Sequence, residues 1–198
     1  MKSKKFLSLF TIIIINIVSI NYSYSVEPDV FVQSTVNRAS EALNDKYSKK
    51  EKINKLKQIA SETVDIDGIG RYTLGAYKNK ITDSQIIEYN DLFQQYFLKS
   101  FASRLAEYSN PEIEVISKKK LSEKYTMVSS TLEGTDQRPG VKIDWRVYTK
   151  DPGNPLIRDL IIEGLSLART QQEEFSSIIE SNDGDINALF TTLRDFVK

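Results

Sequence analysis

Apolar residues recur at helical spacing through the middle of the chain, where Tyr89, Phe93, Tyr96, Phe97, Phe101, Leu105 and Tyr108 fall mostly three or four positions apart. Such steps lay a broad aromatic stripe along one side of a helix. The start is written out as well: Thr82 and Gln85 have the spacing of a capping box, and Ile81 and Ile86 stand where a hydrophobic staple pins the entry. Ser109-Asn110-Pro111 ends it, because the residue before a proline is pushed out of the helical region. The pattern therefore predicts one helix over 82–108, roughly 36 to 39 Å long at 1.5 Å per residue. It is not a membrane span, since Glu88, Asp91, Lys99, Arg104 and Glu107 interrupt it. Two roles fit the stripe: a core helix under a sheet, which patterning alone favours, or one wall of an apolar cavity.

Shorter helical patterns flank it. Val32, Val36, Ala39, Leu43 and Tyr47 predict a first helix, and Ile53, Leu56, Ala60 and Val64 the buried side of a second, after the solvated run Ser48-Lys49-Lys50-Glu51-Lys52. Beyond Pro111 the period changes from about 3.6 to two. Ile113 and Val115 alternate with acids, 125–132 is β-prone, Val141, Ile143, Trp145 and Val147 alternate with Lys142, Asp144, Arg146 and Tyr148, and 156–164 reads as a fourth strand. The intervening turns are short, so the strands form an antiparallel meander whose apolar face is expected to look toward the long helix. Leu167, Gln171, Phe175, Ile178 and Ile179, then Ile186, Leu189, Phe190, Leu193 and Val197, predict two closing helices on either side of Asn182-Asp183-Gly184. The expected fold class is α+β: a four-stranded antiparallel curved sheet covered by five or six helices.

The first 25 residues change the picture of where the chain works. Lys2, Lys4 and Lys5, the apolar run 6–20, and Ser23 and Ser25 at the −3 and −1 positions have the form of a secretory signal. The mature protein is thus expected to be a single domain over 26–198. Its removal leaves 24 basic against 27 acidic residues, a net charge of −3, which does not suit nucleic acid. There is no cysteine, so an exported chain must fold on its core without disulfides. There is no histidine either, which takes away the commonest general base and, with cysteine, the usual zinc ligands.

One segment invites a phosphate or metal reading. Asp65-Ile66-Asp67-Gly68-Ile69-Gly70-Arg71-Tyr72-Thr73-Leu74-Gly75 holds three glycines and two acids, but the spacing matches neither a dinucleotide fingerprint nor a P-loop, and no glutamate closes a calcium loop. It reads better as a short helix capped by Asp65, closely packed at Gly70 and ended at Gly75.

The order of elements, the segment Asp67 to Tyr77, the helix ending Leu105-Ala106-Glu107-Tyr108, and above all Asp159-Leu160-Ile161-Ile162-Glu163-Gly164-Leu165-Ser166-Leu167 followed by Phe175 resemble MlaC, the toluene-tolerance family of periplasmic phospholipid carriers. The likeness covers nearly the whole expected mature chain, and the Glu-Gly-x-Ser junction is its most specific part. Gly153-Asn154-Pro155-Leu156 lacks a tryptophan often found there, and Gln171-Gln172 stands where tyrosine and arginine are usual. The resemblance implies a fold related to the NTF2-like cone and a pocket for acyl chains. It also implies shuttling between an outer-membrane lipoprotein complex (MlaA-like) and an inner-membrane ABC transporter with an MCE-domain subunit (MlaD-like), in maintenance of outer-membrane lipid asymmetry. Phospholipid is then cargo, and no cofactor, metal or catalytic residue is called for.

On that reading the lining is expected to draw Leu74, Phe93, Phe97 and Phe101 from the helices and Val115, Met127, Ile143, Trp145, Val147, Ile161 and Leu165 from the sheet. Ordinary core packing is the alternative for each. Arg71, Asp159 and Glu163 are expected to form a polar network at the sheet-to-helix junction. Two other classes stay open: an NTF2-like isomerase or dehydratase working through a carboxylate in its cavity, and a non-lipid periplasmic adaptor with a solid core.

Overall fold

The computed structural model describes residues 25–134 and 139–198, so the expected signal, apart from Ser25, lies outside the described residues. Six α-helices and five strands follow in the order α1 (Pro28–Ala42), α2 (Lys49–Thr63), α3 (Ile66–Thr73), a 3-10 turn (Gly75–Asn79), α4 (Asp83–Leu105), β1 (Ile113–Ser122), β2 (Tyr125–Leu132), β3 (Val141–Tyr148), β4 (Leu156–Ile162), β5 (Leu165–Ser166), α5 (Leu167–Glu180) and α6 (Ile186–Val197). No described helix is long and apolar enough to cross a membrane.

The long helix begins as its residues dictate. Thr82 accepts the Gln85 N–H while the Gln85 side chain accepts the Thr82 N–H, satisfying two donors that a helix start leaves free. It ends at Leu105, three residues before the expected Tyr108. The Glu107 and Tyr108 N–H groups bond only three residues back, and Asn110, at φ 45°, turns the chain toward the Leu43 carbonyl and Asp45. A contact distant in sequence thus sets the stop.

All strand pairings are antiparallel, in the order β1-β2-β3-β4-β5. The fifth strand corrects the expectation of four: Glu163 and Gly164, both at positive φ, make a two-residue turn that pairs Ile162 with Leu165, splitting the expected 156–164 strand into a hairpin. A second correction concerns what covers the sheet. The apolar face is packed by α1, through Val32 and Val36 against Val128, Trp145, Val147 and Ile157. The long helix packs mainly on α2, α3 and α6 instead.

The first half of its aromatic stripe supplies the centre of the helical layer. Tyr89 and Phe93 are closed in with Leu74, Phe175, Leu189 and Phe190. Phe93 meets Phe175 edge-on, and the Tyr89 hydroxyl shares a 2.8 Å hydrogen bond with Thr73. Burial pushes the Tyr89 phenol well above its ordinary pKa, so it stays a neutral hydrogen-bonding group. Near its C-terminal end, Ala102 and Ala106 let α4 approach Leu43 and Leu56 closely.

Two joints tie the helical layer to the sheet, both on β4. At the α2–α3 junction Val64 bridges Ile157, the Asp65 N–H donates to the Ile157 carbonyl, and Asp65 pairs with Arg158. Arg158 is the extra residue of a bulge opposite Arg146 and Val147; its guanidinium lies 3.9 Å from the Tyr148 ring centre and donates to the Tyr125 hydroxyl. Burial opposes its charge, but Asp65 and Tyr125 more than offset this and hold its pKa above the ordinary value. The second joint is Asp159 with the start of α5.

Candidate lipid-facing site

Side chains alternate across a strand, so register decides which sheet residues share a face. The pairing aligns Val115, Ser130, Ile143, Ile162 and Leu165 in one row across all five strands. The neighbouring row Val128, Trp145 and Leu160 and the pair Leu132 and Val141 lie on the same face. Burial is graded along it. At one end Val128, Val147 and Ile157 are sealed under α1; toward the other, Ile143, Leu160, Ile162, Leu132 and Val141 are only half-buried, and Leu165 is 59% exposed. The exposed leucine and its half-buried neighbours leave this end of the apolar face less covered than the other.

Ser130 is the polar member of the five-strand row, and it is occupied. It accepts the Trp145 indole N–H at 2.8 Å and donates to the Ile143 carbonyl at 3.3 Å. Its partners satisfy it, which leaves the row apolar in effect. No carboxylate stands on this row. Acids of the sheet lie elsewhere: Asp144 is on the opposite face, where burial raises its pKa but bonds from Ser129 and Lys142 outweigh that and hold it low. Those bonds favour its ionised form.

Of the expected sheet lining, the register brings Val115, Ile143, Trp145, Val147 and Leu165 to one face, with Trp145 and Val147 at its closed end. Met127 and Ile161 are corrections. Met127 pairs with Arg146 and Ile161 with Asp144, so both point from the opposite, largely polar face. The sequence is apolar in both phases there, Met127-Val128 and Leu160-Ile161-Ile162, so alternation could not choose between them. Ile162, Leu160, Leu132 and Val141 take their places, members that only cross-strand register identifies.

Among the helical residues, Leu74 and Phe93 are each 2% exposed and packed within the helical core, which removes them from a lining. Phe97 and Phe101 are half-buried and stacked, with centroids 5.5 Å apart and planes at 10°. Phe97 packs on the edge of the helical core, its ring centre 6.1 Å from that of Phe93, and Phe101 continues the stripe from there.

The expected polar network takes a different membership. Asp159 accepts the Ser166 hydroxyl at 2.6 Å and the Ala168 N–H at 3.0 Å, and lies 3.5 Å from the Arg146 guanidinium. Ser166 in turn caps α5 by accepting the Arg169 N–H. Glu163 sits in the turn and accepts the Lys142 N–H, while Arg71 is exposed on α3 and, among the described residues, pairs with neither acid. The cation at the junction is therefore Arg146, which register sets beside Asp159. The Glu-Gly-x-Ser motif makes a hairpin that carries Leu165 at its tip and a cap that starts α5.

Two open clefts elsewhere are polar. One of about 380 Å³ at the α2–α3 junction is lined by Glu62, Asp65, Asp67 and Gln94, among others, and one of about 340 Å³ by Glu112, Glu114 and Glu133 with Ile113 and Gly134. Neither offers an acyl chain an apolar wall.

A family model described as MlaC protein matches residues 33–195. The chain belongs to the MlaC family. Its fold is also similar to that of the phospholipid-binding protein from Ralstonia solanacearum, solved in complex with a phospholipid, with a TM-score of 0.72 and 20% sequence identity over 87% of this chain and 97% of that one. At that identity the shared property is the fold. The MlaC match covers every element of the sheet and the hairpin that presents Leu165.

Proposed function

We propose that this MlaC-family chain is a periplasmic phospholipid carrier that holds acyl chains against the half-covered apolar rows of its sheet, between them and the Phe97–Phe101 pair of the long helix. The observation that carries this reading is the row Val115, Ser130, Ile143, Ile162 and Leu165, apolar in effect and exposed at its hairpin end. It stands on a fold shared with a protein solved with phospholipid.

The physics sets what such a carrier must do. At about 0.8 kcal/mol per methylene, two long acyl chains cost on the order of 20 kcal/mol to hold in water, so a soluble shuttle has to enclose them. The head group can remain in solvent, so few polar contacts are required. The protein works by binding, without a cofactor or a reaction step. Its signal-like N-terminus addresses it to the periplasm, where it exchanges lipid between an MlaA-like outer-membrane lipoprotein complex and the MlaD-like MCE subunit of an inner-membrane ABC transporter.

Native mass spectrometry of the mature protein purified without detergent, followed by lipid extraction, tests the reading. Diacyl phospholipid near one per chain is expected. Leu165→Glu is the decisive variant, because the residue is exposed at a hairpin tip and its replacement leaves the core intact. It should fold with an unchanged circular dichroism spectrum and lose its lipid. A folded Leu165→Glu protein that keeps lipid at the wild-type ratio would sink the placement, and a wild-type protein that takes no lipid even from vesicles would sink the carrier.

A further inference from the structure

The graded burial along the apolar face has a boundary, and it falls at Trp145. In its own row Val128 is closed under α1 and Leu160 is half-covered; one row further in, Val147 and Ile157 are closed with Val32 and Val36 of α1, and one row mouthward Ile143 and Ile162 are half-covered while Ser130 is buried against the indole it holds. Trp145 itself is 8% exposed and is the largest side chain at that boundary. Its indole is held by a bond from Nε1–H to the Ser130 hydroxyl, which is itself tied to the Ile143 backbone. A large, flat, apolar side chain held in the middle of its row, between the closed and the half-covered parts of the face, is a stop.

We infer that Trp145, held by Ser130, is the floor of the acyl-chain site and sets how much of a chain the protein encloses. The inference rests on the carrier reading and adds to it a depth and a chain-length limit. From Trp145 to the row of Leu132 and Val141 is four residues of strand, about 13 to 14 Å at ~3.4 Å per residue. Methylenes beyond that length must fold back or stay at the mouth, where their burial is incomplete. Raising the floor excludes methylenes, and each one excluded lowers relative retention about fourfold, from ~0.8 kcal/mol per methylene.

Trp145 is the single tryptophan of the chain, so the unmodified protein reports on its own floor. The mature protein is loaded from vesicles of phosphatidylcholine brominated either near the middle of one acyl chain or near its terminal methyl, with loading measured by native mass spectrometry. Stronger fluorescence quenching per bound lipid by the terminally brominated lipid is expected. Equal quenching, or stronger quenching by the mid-chain label, overturns the floor and leaves the carrier standing; failure of both lipids to load overturns the carrier. Ile143→Phe, one row mouthward, gives an independent check. Offered equal amounts of shorter- and longer-chain phosphatidylethanolamine, it should shift the bound pool toward the shorter relative to wild type. An unshifted pool in the folded, loaded variant counts against the floor.

Discussion

Asp159 shows what one buried carboxylate does at this junction. It holds a strand end, a helix cap and an arginine of the neighbouring strand at once. Asp159→Ala leaves the Ser166 hydroxyl and the Ala168 N–H without their acceptor, each worth about 1 to 3 kcal/mol when buried, so a loss of roughly 2 to 6 kcal/mol is expected. Urea denaturation measures it as a lower midpoint at unchanged slope. Asp159→Asn keeps one acceptor oxygen and should lose less; equal losses would mean that the Arg146 charge, and not the two local donors, dominates. The acid was legible in the sequence as part of a junction. Its cation was not, because nothing local to position 159 selects between Arg71 and Arg146, and only the β3–β4 register sets one of them alongside.

At the scale of elements, local residues specified most starts. The capping box at Thr82 and the Asp65 cap on the Gly68 N–H stand where the spacing placed helix beginnings, and a second box, Ser48 with Glu51, starts α2 within the run that read as solvated. Ends were less legible, since α4 stops through a contact to the α1–α2 loop. Packing between elements is specified just as tightly. A Cβ on Gly70 would lie 2.8 Å from Cδ1 of Phe93, so α3 rests directly on the buried half of the aromatic stripe. Gly70→Ala gains up to about 1 kcal/mol of helix propensity and incurs overpacking of about 1 to 3 kcal/mol, with net destabilisation expected. Chemical denaturation decides the sign. A stabilised variant would mean that the Phe93 ring gives way freely, against its close packing with Phe175 and Tyr89.

For the whole molecule, the decisive arrangement is that α1 and the β4 joints bind the sheet to the helices at different places. On one side α1 lies on β1 and β2 and packs against α2; on the other, Ile157, Arg158 and Asp159 fasten the starts of α3 and α5. The rows that end at Leu165 remain the least covered part of the apolar face. A lipid that fills them stabilises the native state and not the unfolded chain. At a lipid concentration about 1,000 times the dissociation constant this adds ~4 kcal/mol, or a rise of roughly 8 to 16 °C in melting temperature for a domain of this size. Differential scanning calorimetry of delipidated and reloaded protein reads the shift, and coincident melting curves would contradict a carrier that encloses its cargo.

The resemblance of the segment 159–167 pointed to the family, and local chemistry by itself determined the helix positions and most of their starts, the positions of the four long strands and the antiparallel meander. These depend on period, capping and turn residues, which act over a few positions of chain. Tertiary structure alone decided three further matters: that α1 covers the apolar face in place of the long helix, that Glu163-Gly164 makes a hairpin with a fifth strand, and that Ile162 and Leu160 face inward while Met127 and Ile161 do not. For the third the reason is register. A one-residue change of register or a single bulge reverses the face of every following side chain, and runs such as Leu160-Ile161-Ile162, apolar in both phases, contain nothing that selects one parity until the neighbouring strand and the covering helix are in place.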